Sequence, residues 1–169
     1  MDFSNSLLHW YLQEKRDLPW RNTTDPYIIW LSEIILQQTR VAQGLPYFEA
    51  FVSKFPTVFD FANADEESIL KLWQGLGYYS RARNMHKTAK IIAFEFSGVF
   101  PSTYNELLQL KGIGPYTAAA IASFSFNEAV PVVDGNVFRV LARYFNVQTD
   151  ISSSKARNEF TDLAQLLLP

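Results

Sequence analysis

Apolar residues recur along the chain at spacings of three and four rather than two, which is the period of helices that bury one face. Leu7, Leu8, Tyr11 and Leu12 mark such a face between Ser4 and Arg16, opened by Ser4 or Asn5 and stopped before Pro19. Leu18-Pro19-Trp20-Arg21 is a connector. Thr24-Asp25-Pro26 sets a capping side chain ahead of a proline, predicting a helix from there to about Ala42. Gly44 and Pro46 break it, and Tyr47, Phe48, Phe51, Val52 and Phe55 form the next apolar face as far as Pro56. Val58 to Ala62 reads as a short turn or helix. Asp65-Glu66-Glu67 opens another, its acids where the helix dipole favours them, with Ile69, Leu70, Leu72 and Trp73 on its buried side. Gly75-Leu76-Gly77 ends it, and Ser80 is placed to cap a basic helix from Arg81 to about Phe96. Thr103 to Glu106 has capping-box form and starts a helix that Gly112 closes; Pro115 opens its partner. Asp134 caps a helix through Tyr144, and Ser152 to Ser154 introduce a last one to Leu168. Pro131-Val132-Val133 is too short to build a sheet on, so the predicted fold is all-α.

At 169 residues, a compact chain buries roughly 70% of the surface its unfolded form exposes, enough for a real core. Cysteine is absent, which excludes disulfides and thiolate metal sites. His9 and His86 stand far apart without ligand-spaced neighbours and read as surface or packing residues. No stretch reads as a membrane span or a secretory leader, so the expected location is intracellular, cytoplasm or nucleoid in a bacterium. A formal charge of −2 does not advertise a nucleic-acid partner. Its distribution qualifies this: Leu70 to Phe94 holds no acid but contains Lys71, Arg81, Arg83, Lys87 and Lys90. Taken alone, the run is better explained as a solvated helix face.

Candidate chemistry lies in two places. Leu110-Lys111-Gly112-Ile113-Gly114-Pro115-Tyr116-Thr117-Ala118 describes a tight turn between helices, followed by small residues that let another helix approach. Backbone amides at such a turn point outward and suit a phosphate. In the predicted helix upstream, Glu33, Gln37 and Arg40 form a polar stripe among Trp30, Leu31, Ile34, Ile35 and Leu36. A carboxyl group there would be partly desolvated and its pKa raised, as a general acid requires. Composition alone leaves plainer readings open: Glu33 facing solvent, Trp20 and Tyr78 packed, Gln38 solvated, and Asp134 a helix cap.

Four motifs decide between these readings: Leu18-Pro19-Trp20-Arg21, Trp30 to Thr39 (WLSEIILQQT), Gly75 to Asn84 (GLGYYSRARN), and the Leu110 hairpin followed by Val133 to Arg143 (VDGNVFRVLAR). In this order they resemble the adenine DNA glycosylases (MutY type) of the helix-hairpin-helix DNA glycosylase superfamily. The resemblance implies that fold, C-terminally truncated. It divides the chain into an N-terminal helix and connector (1–25), a catalytic core with the hairpin (26–145) and the start of a C-terminal lobe (146–169). It implies an enzyme that hydrolyses the N-glycosidic bond of adenine mispaired with 8-oxoguanine or guanine. Glu33 would protonate the leaving base and Asp134 stabilise the positive sugar, with Tyr116 and Asn136 orienting the two acids. Trp20, Arg21 and Leu36 would form the base pocket. Gln38, Tyr78, Arg81, Lys111, Gly112, Ile113 and Gly114 would meet DNA, Tyr78 and Gln38 by wedging into the duplex. The implied partner is double-stranded DNA bound by a monomer.

Relatives with strand-cutting activity carry lysine where this chain has Tyr116, so the resemblance implies a monofunctional enzyme that leaves an abasic site. The family normally continues with further helices, four cysteines holding a 4Fe-4S cluster and a domain recognising 8-oxoguanine. With no cysteine, this chain holds no ligand for that cluster and no cofactor is expected within it. Two alternatives stay open: a non-catalytic helix-hairpin-helix DNA-binding fragment, or an endonuclease III-like glycosylase of other base specificity.

Overall fold

The computed structural model describes residues 3–168. Among them are ten α-helices, a 3₁₀ turn and a π turn, and no strand. In chain order these are α1 (Phe3–Glu14), the 3₁₀ turn (Pro19–Arg21), α2 (Pro26–Ile35), α3 (Val41–Lys54), α4 (Val58–Asn63), α5 (Glu66–Leu72), α6 (Ser80–Lys90), the π turn (Ile91–Glu95), α7 (Tyr104–Leu107), α8 (Pro115–Phe126), α9 (Gly135–Phe145) and α10 (Ser154–Leu166).

The centre is α2, which buries Ile29, Trp30, Leu31, Ser32, Ile34 and Ile35 and so has almost no solvent face. A helix apolar all round must be covered on every side. On one side lies α8, whose Ala118, Ala119, Ala120 and Ala122 are buried and small enough for the two backbones to pass closely. On the others an aromatic layer forms around Phe51 and Phe61, with Trp73 edge-on to Phe51 at 5.8 Å and Phe100 edge-on to Trp30 at 5.7 Å. A second, smaller cluster gathers Leu141, Ala156 and Phe160 with Phe3, Val137, Phe138 and Leu163, joining α9 and α10 to the start of α1.

Side-chain caps define most helix starts. Asp25 accepts from the Tyr27 amide, Asp65 from Ser68, Asp134 from Asn136 and Val137, and Ser153 from Ala156. Thr103 with Glu106 and Thr57 with Asp60 form reciprocal capping boxes, in which two orphan amides at a helix start are satisfied together. Ser80 does not cap α6; it is the first helical residue, and Tyr79 precedes it without a side-chain cap.

Other expectations are corrected. The helix expected to reach Ala42 stops at Ile35, and Leu36 to Thr39 form a turn closed by Gln37 N–H to Ile34 C=O (3.3 Å) and Thr39 N–H to Leu36 C=O (3.1 Å). Gly44 and Pro46 do not break a helix; both lie inside α3. Gly44 is there for closeness, since a Cβ on it would stand 2.5 Å from Leu36 Cδ2. Pro46 removes one helix hydrogen bond, to the Ala42 carbonyl. The basic helix ends at Lys90 and is followed by the π turn, marked by Phe96 N–H to Ile91 C=O (3.2 Å). The first hairpin helix stops at Leu107, and i to i−3 bonds wind the chain tightly through Leu110 to Ile113, bringing Leu107, Leu110 and Ile113 all into the core. In α1, none of whose residues is buried, Leu7, Leu8 and Tyr11 line an apolar groove shared with α9 and α10, while Leu12 is exposed outside it.

Candidate active site

A cleft of about 360 Å³ opens where the 3₁₀ turn, the end of α2, the start of α8 and the start of α9 converge. Its walls include Trp20, Arg21, Glu33, Leu36, Gln38, Tyr116 and Asp134. Each arrives by a local cause. Trp20 is set by edge-on packing against Phe48 at 4.9 Å. Glu33 is the partly exposed residue in the run from Ile29 to Ile35, so it emerges where α2 meets the cleft. Tyr116 follows Pro115, the first residue of α8. Asp134 ends the extended segment before α9.

The two carboxyl groups meet different surroundings. Burial pushes the Glu33 pKa up from 4.5 to about 7, with the Arg21 guanidinium opposing the shift; at neutral pH a large share therefore keeps its proton. Asp134 is held by nitrogen donors: its Oδ1 accepts from the amides of Asn136 and Val137, each at 2.9 Å, and its Oδ2 from Asn136 Nδ2 at 3.1 Å. Asn136 Oδ1 in turn accepts from Arg139. Tyr116 shares the cleft with both acids, and burial followed by the negative charges of Glu33 and Asp134 pushes its hydroxyl up to about 12. An uncharged phenol is thus fixed beside two carboxyls. The larger groove beneath α1 is lined almost wholly by apolar side chains and no carboxylate, whereas the cleft holds both Glu33 and Asp134.

The hairpin stands at the start of α8. Gly112 sits at φ +80°, where a Cβ would come 2.8 Å from Asn84 Cβ, so no other residue fits. Lys111, Gly112 and Gly114 are exposed, whereas Ile113, expected at DNA, is buried and its N–H donates to the Leu110 carbonyl at 3.2 Å. Lys111 C=O accepts from Thr88 Oγ1 at 2.7 Å, tying the hairpin to α6.

A family model described as HhH-GPD superfamily base excision DNA repair protein matches residues 31–165. The chain belongs to the HhH-GPD superfamily. Its relatives include the adenine DNA glycosylases of Buchnera aphidicola subsp. Baizongia pistaciae, 47% identical over 86% of this chain and 42% of that one, and of Homo sapiens, 45% identical over 98% and 32%. The chain thus spans less than half the length of these relatives. Among solved structures it is similar to a thermostable thymine-DNA glycosylase (TM-score 0.88, 28% identity, covering 99% of this chain and 77% of that one). A trapped endonuclease III–DNA covalent intermediate shares the fold (TM-score 0.78, 20% identity, 100% and 80%).

Of the residues singled out from the sequence, the cleft brings together Glu33, Asp134, Tyr116, Trp20, Arg21, Leu36 and Gln38. Asn136 lies behind Asp134 and lines the groove beneath α1 instead. Tyr78 projects from a separate loop, 69% exposed, with φ +46°. Arg81, expected on DNA, turns inward: its guanidinium donates to the carbonyls of Ile34, Gln37, Leu76 and Gly77. Gln37 is no part of a helical stripe; it lines the cleft from the turn, and its Nε2 lies 3.4 Å from Thr117 Oγ1. Leu18, which opens the first motif, also lines the cleft, as do Arg16 and Val41, which had no sequence signal beyond proximity to a motif. Because the chain has no cysteine, its residues do not fit the thiolate cluster of the resembled family.

Proposed function

We propose that this chain removes adenine mispaired with 8-oxoguanine or guanine from double-stranded DNA by hydrolysing its N-glycosidic bond, leaving an abasic site. The observation that carries the reading is the pair of unlike acids in one cleft: Glu33, whose pKa burial pushes up to about 7 so that a share keeps its proton at neutrality, and Asp134, oriented by three nitrogen donors. Paired carboxyls in distinct environments are the general arrangement for breaking glycosidic bonds through a positively charged sugar. The adenine glycosylase relatives support adenine as the base.

The steps follow from these residues. The target nucleotide leaves the stack, at a cost of a few kcal/mol that is least at a mispair, and its base enters between Trp20, Leu36 and Arg21. Glu33 gives its proton to a ring nitrogen of the adenine as the bond to C1′ breaks. Asp134 stabilises the positive sugar, either by its charge or by a transient covalent bond. Glu33, now a carboxylate, takes a proton from the water that adds to C1′, displacing the Asp134 carboxylate where that bond has formed, and both carboxyls return to their starting forms. Tyr116 has no amine, so it forms no Schiff base with the sugar, and the strand stays uncut. Exposed amides of the hairpin and of the α8 start suit the neighbouring phosphate, since a helix start attracts anions.

Single-turnover incubation with duplexes carrying A opposite 8-oxoguanine or A opposite G, then alkali, tests this. Breaks at the adenine that vanish in Glu33→Gln and Asp134→Asn are the expected result. Binding without breaks points to a non-catalytic DNA-binding module, and breaks only at the thymine of a T opposite G control point to another base. Tyr116→Lys is expected to gain a borohydride-trapped cross-link to the duplex.

A further inference from the structure

Two loops carry exposed tips, one of them at the cleft, and one arginine joins them. The turn from Leu36 to Thr39 carries Gln38 at φ +57°, and the loop after α5 carries Tyr78 at φ +46°. Both side chains are exposed, and for both the left-handed backbone is an uncommon conformation that something must hold. Arg81 supplies the hold. Its Nη1 donates to Ile34 C=O at 2.9 Å and Gln37 C=O at 2.7 Å, and its Nη2 to Leu76 C=O at 3.2 Å and Gly77 C=O at 3.5 Å. The guanidinium also lies over the Trp73 ring at 5.1 Å and the Tyr78 ring at 5.8 Å.

The choice of carbonyls matters. Gln37 and Gly77 immediately precede the two left-handed residues, so the bonds fix the peptide planes whose rotation aims Gln38 and Tyr78. One rigid planar fork thereby sets the direction of both tips. Lysine cannot reproduce this, because an ammonium has three donors on one atom and no fixed plane. A phosphate contact is excluded by the same geometry, since both terminal nitrogens face carbonyls and Nε is buried without a partner.

We infer that Arg81 is a positioning residue that couples Gln38 and Tyr78, so that the two tips engage a duplex as one unit rather than as independent contacts. The inference rests on the reading of double-stranded DNA as the partner, and its experiment separates the two. An exposed aromatic tip is suited to stacking on a base, and a polar tip that lines the cleft, as Gln38 does, to the space a displaced base leaves.

The test begins in the unaltered chain. Affinity for a duplex with A opposite 8-oxoguanine is measured for Gln38→Ala, Tyr78→Ala and the double variant. Coupled tips give a combined loss about fivefold smaller than the product of the single losses, and in an Arg81→Lys background the losses multiply. Fluorescence of 2-aminopurine beside the target pair, which rises when a side chain parts it from its neighbour, is expected to rise with the unaltered chain and not with Arg81→Lys or Arg81→Met. The slope of log affinity against log salt stays unchanged in both, because no phosphate contact is removed. Multiplying losses in the unaltered background overturn the inference. So does an Arg81→Lys that binds and fluoresces as the unaltered chain while Arg81→Met lowers the slope by about one. Coupled tips in a chain that removes no adenine uphold the clamp and refute the glycosylase; adenine removal with independent tips does the reverse. No duplex binding at all refutes both.

Discussion

Replacing Glu33 by glutamine separates what the residue does for chemistry from what it does to the fold. The Glu33 pKa lies at about 7 in the folded chain against an ordinary value of 4.5, so the fold holds this proton more tightly than the unfolded chain does. The resulting contribution is fully present below pH 4.5 and is lost as pH rises through about 7. Each pH unit between the two values is worth about 1.4 kcal/mol, so at pH 8 the ionised group costs the fold about 3 kcal/mol and at pH 5 less than about 1 kcal/mol. Solvent at the mouth of the cleft screens part of this and leaves about 2 kcal/mol at pH 8.

Glutamine has the shape of the protonated acid and never ionises. Glu33→Gln is therefore expected to melt higher than the unaltered chain at pH 8, by about 4–8 °C at the usual about 2–4 °C per kcal/mol for a chain of this size, and to melt within about 2 °C of it at pH 5. Removing the charge also relaxes Tyr116, but its hydroxyl stays neutral across this range and adds nothing to the pH dependence. Thermal melts at the two pH values measure the difference directly. An equal gap at pH 5 and pH 8, or a less stable variant at both, would refute the claim that desolvation holds Glu33 protonated. The expected pairing is loss of adenine release with gain of stability.

Four other outcomes follow from the same geometry. The single-turnover rate of adenine release is expected to fall about tenfold per pH unit above about pH 7, as the proton on Glu33 is lost; a flat profile to pH 9 would assign the acid elsewhere. Asp134→Asn keeps a capping side chain of equal quality and is expected to cost under about 1 kcal/mol in stability, while release falls by at least about a hundredfold. Gly112→Ala, strained at φ +80° and against Asn84 Cβ, is expected to lose about 2 kcal/mol, whereas Gly114→Ala, with nothing within 4 Å of the new methyl, keeps its melting temperature but weakens duplex binding by anisotropy. Phe160→Leu, which loosens packing against Phe138 at 4.8 Å, is expected to slow release without moving the midpoint of its pH profile.

Helix starts were legible because their cause is local: Asp25, Thr103 and Asp134 cap with their own side chains. The ends of α2 and α7 were not. The turn after Ile35 is held in part by Arg81, which lies 47 residues from the Ile34 carbonyl it binds, and the early stop of α7 follows from the need to bury Leu107, Leu110 and Ile113 together. Gly44 carried the usual signal of a break, yet what it answers is the approach of Leu36. Within the site, Glu33, Tyr116 and Asp134 were legible through motif order. The destination of Arg81 was hidden because an arginine opening a basic helix is the same letter whether it faces a phosphate or four carbonyls.

The placement of the cleft accounts for why unlike acids can coexist in it. Glu33 stands on α2, whose Trp30 and Ile34 belong to the main core with their aromatic neighbours, and an acid emerging from that helix meets low polarity on its own side. Asp134 starts α9, which packs into the small second cluster with α10 and Phe3. Its surroundings are helix-start amides rather than hydrocarbon. A single cluster would have given both carboxyls one environment and driven their behaviour together. Two clusters let one acid keep its proton while the other is gripped by nitrogen donors in the same cleft. The distance between them is then set by how the small cluster seats on the large one, which is why a change at Phe160 is expected to alter the rate, while burial around Glu33, opposed by Arg21, sets the pH dependence.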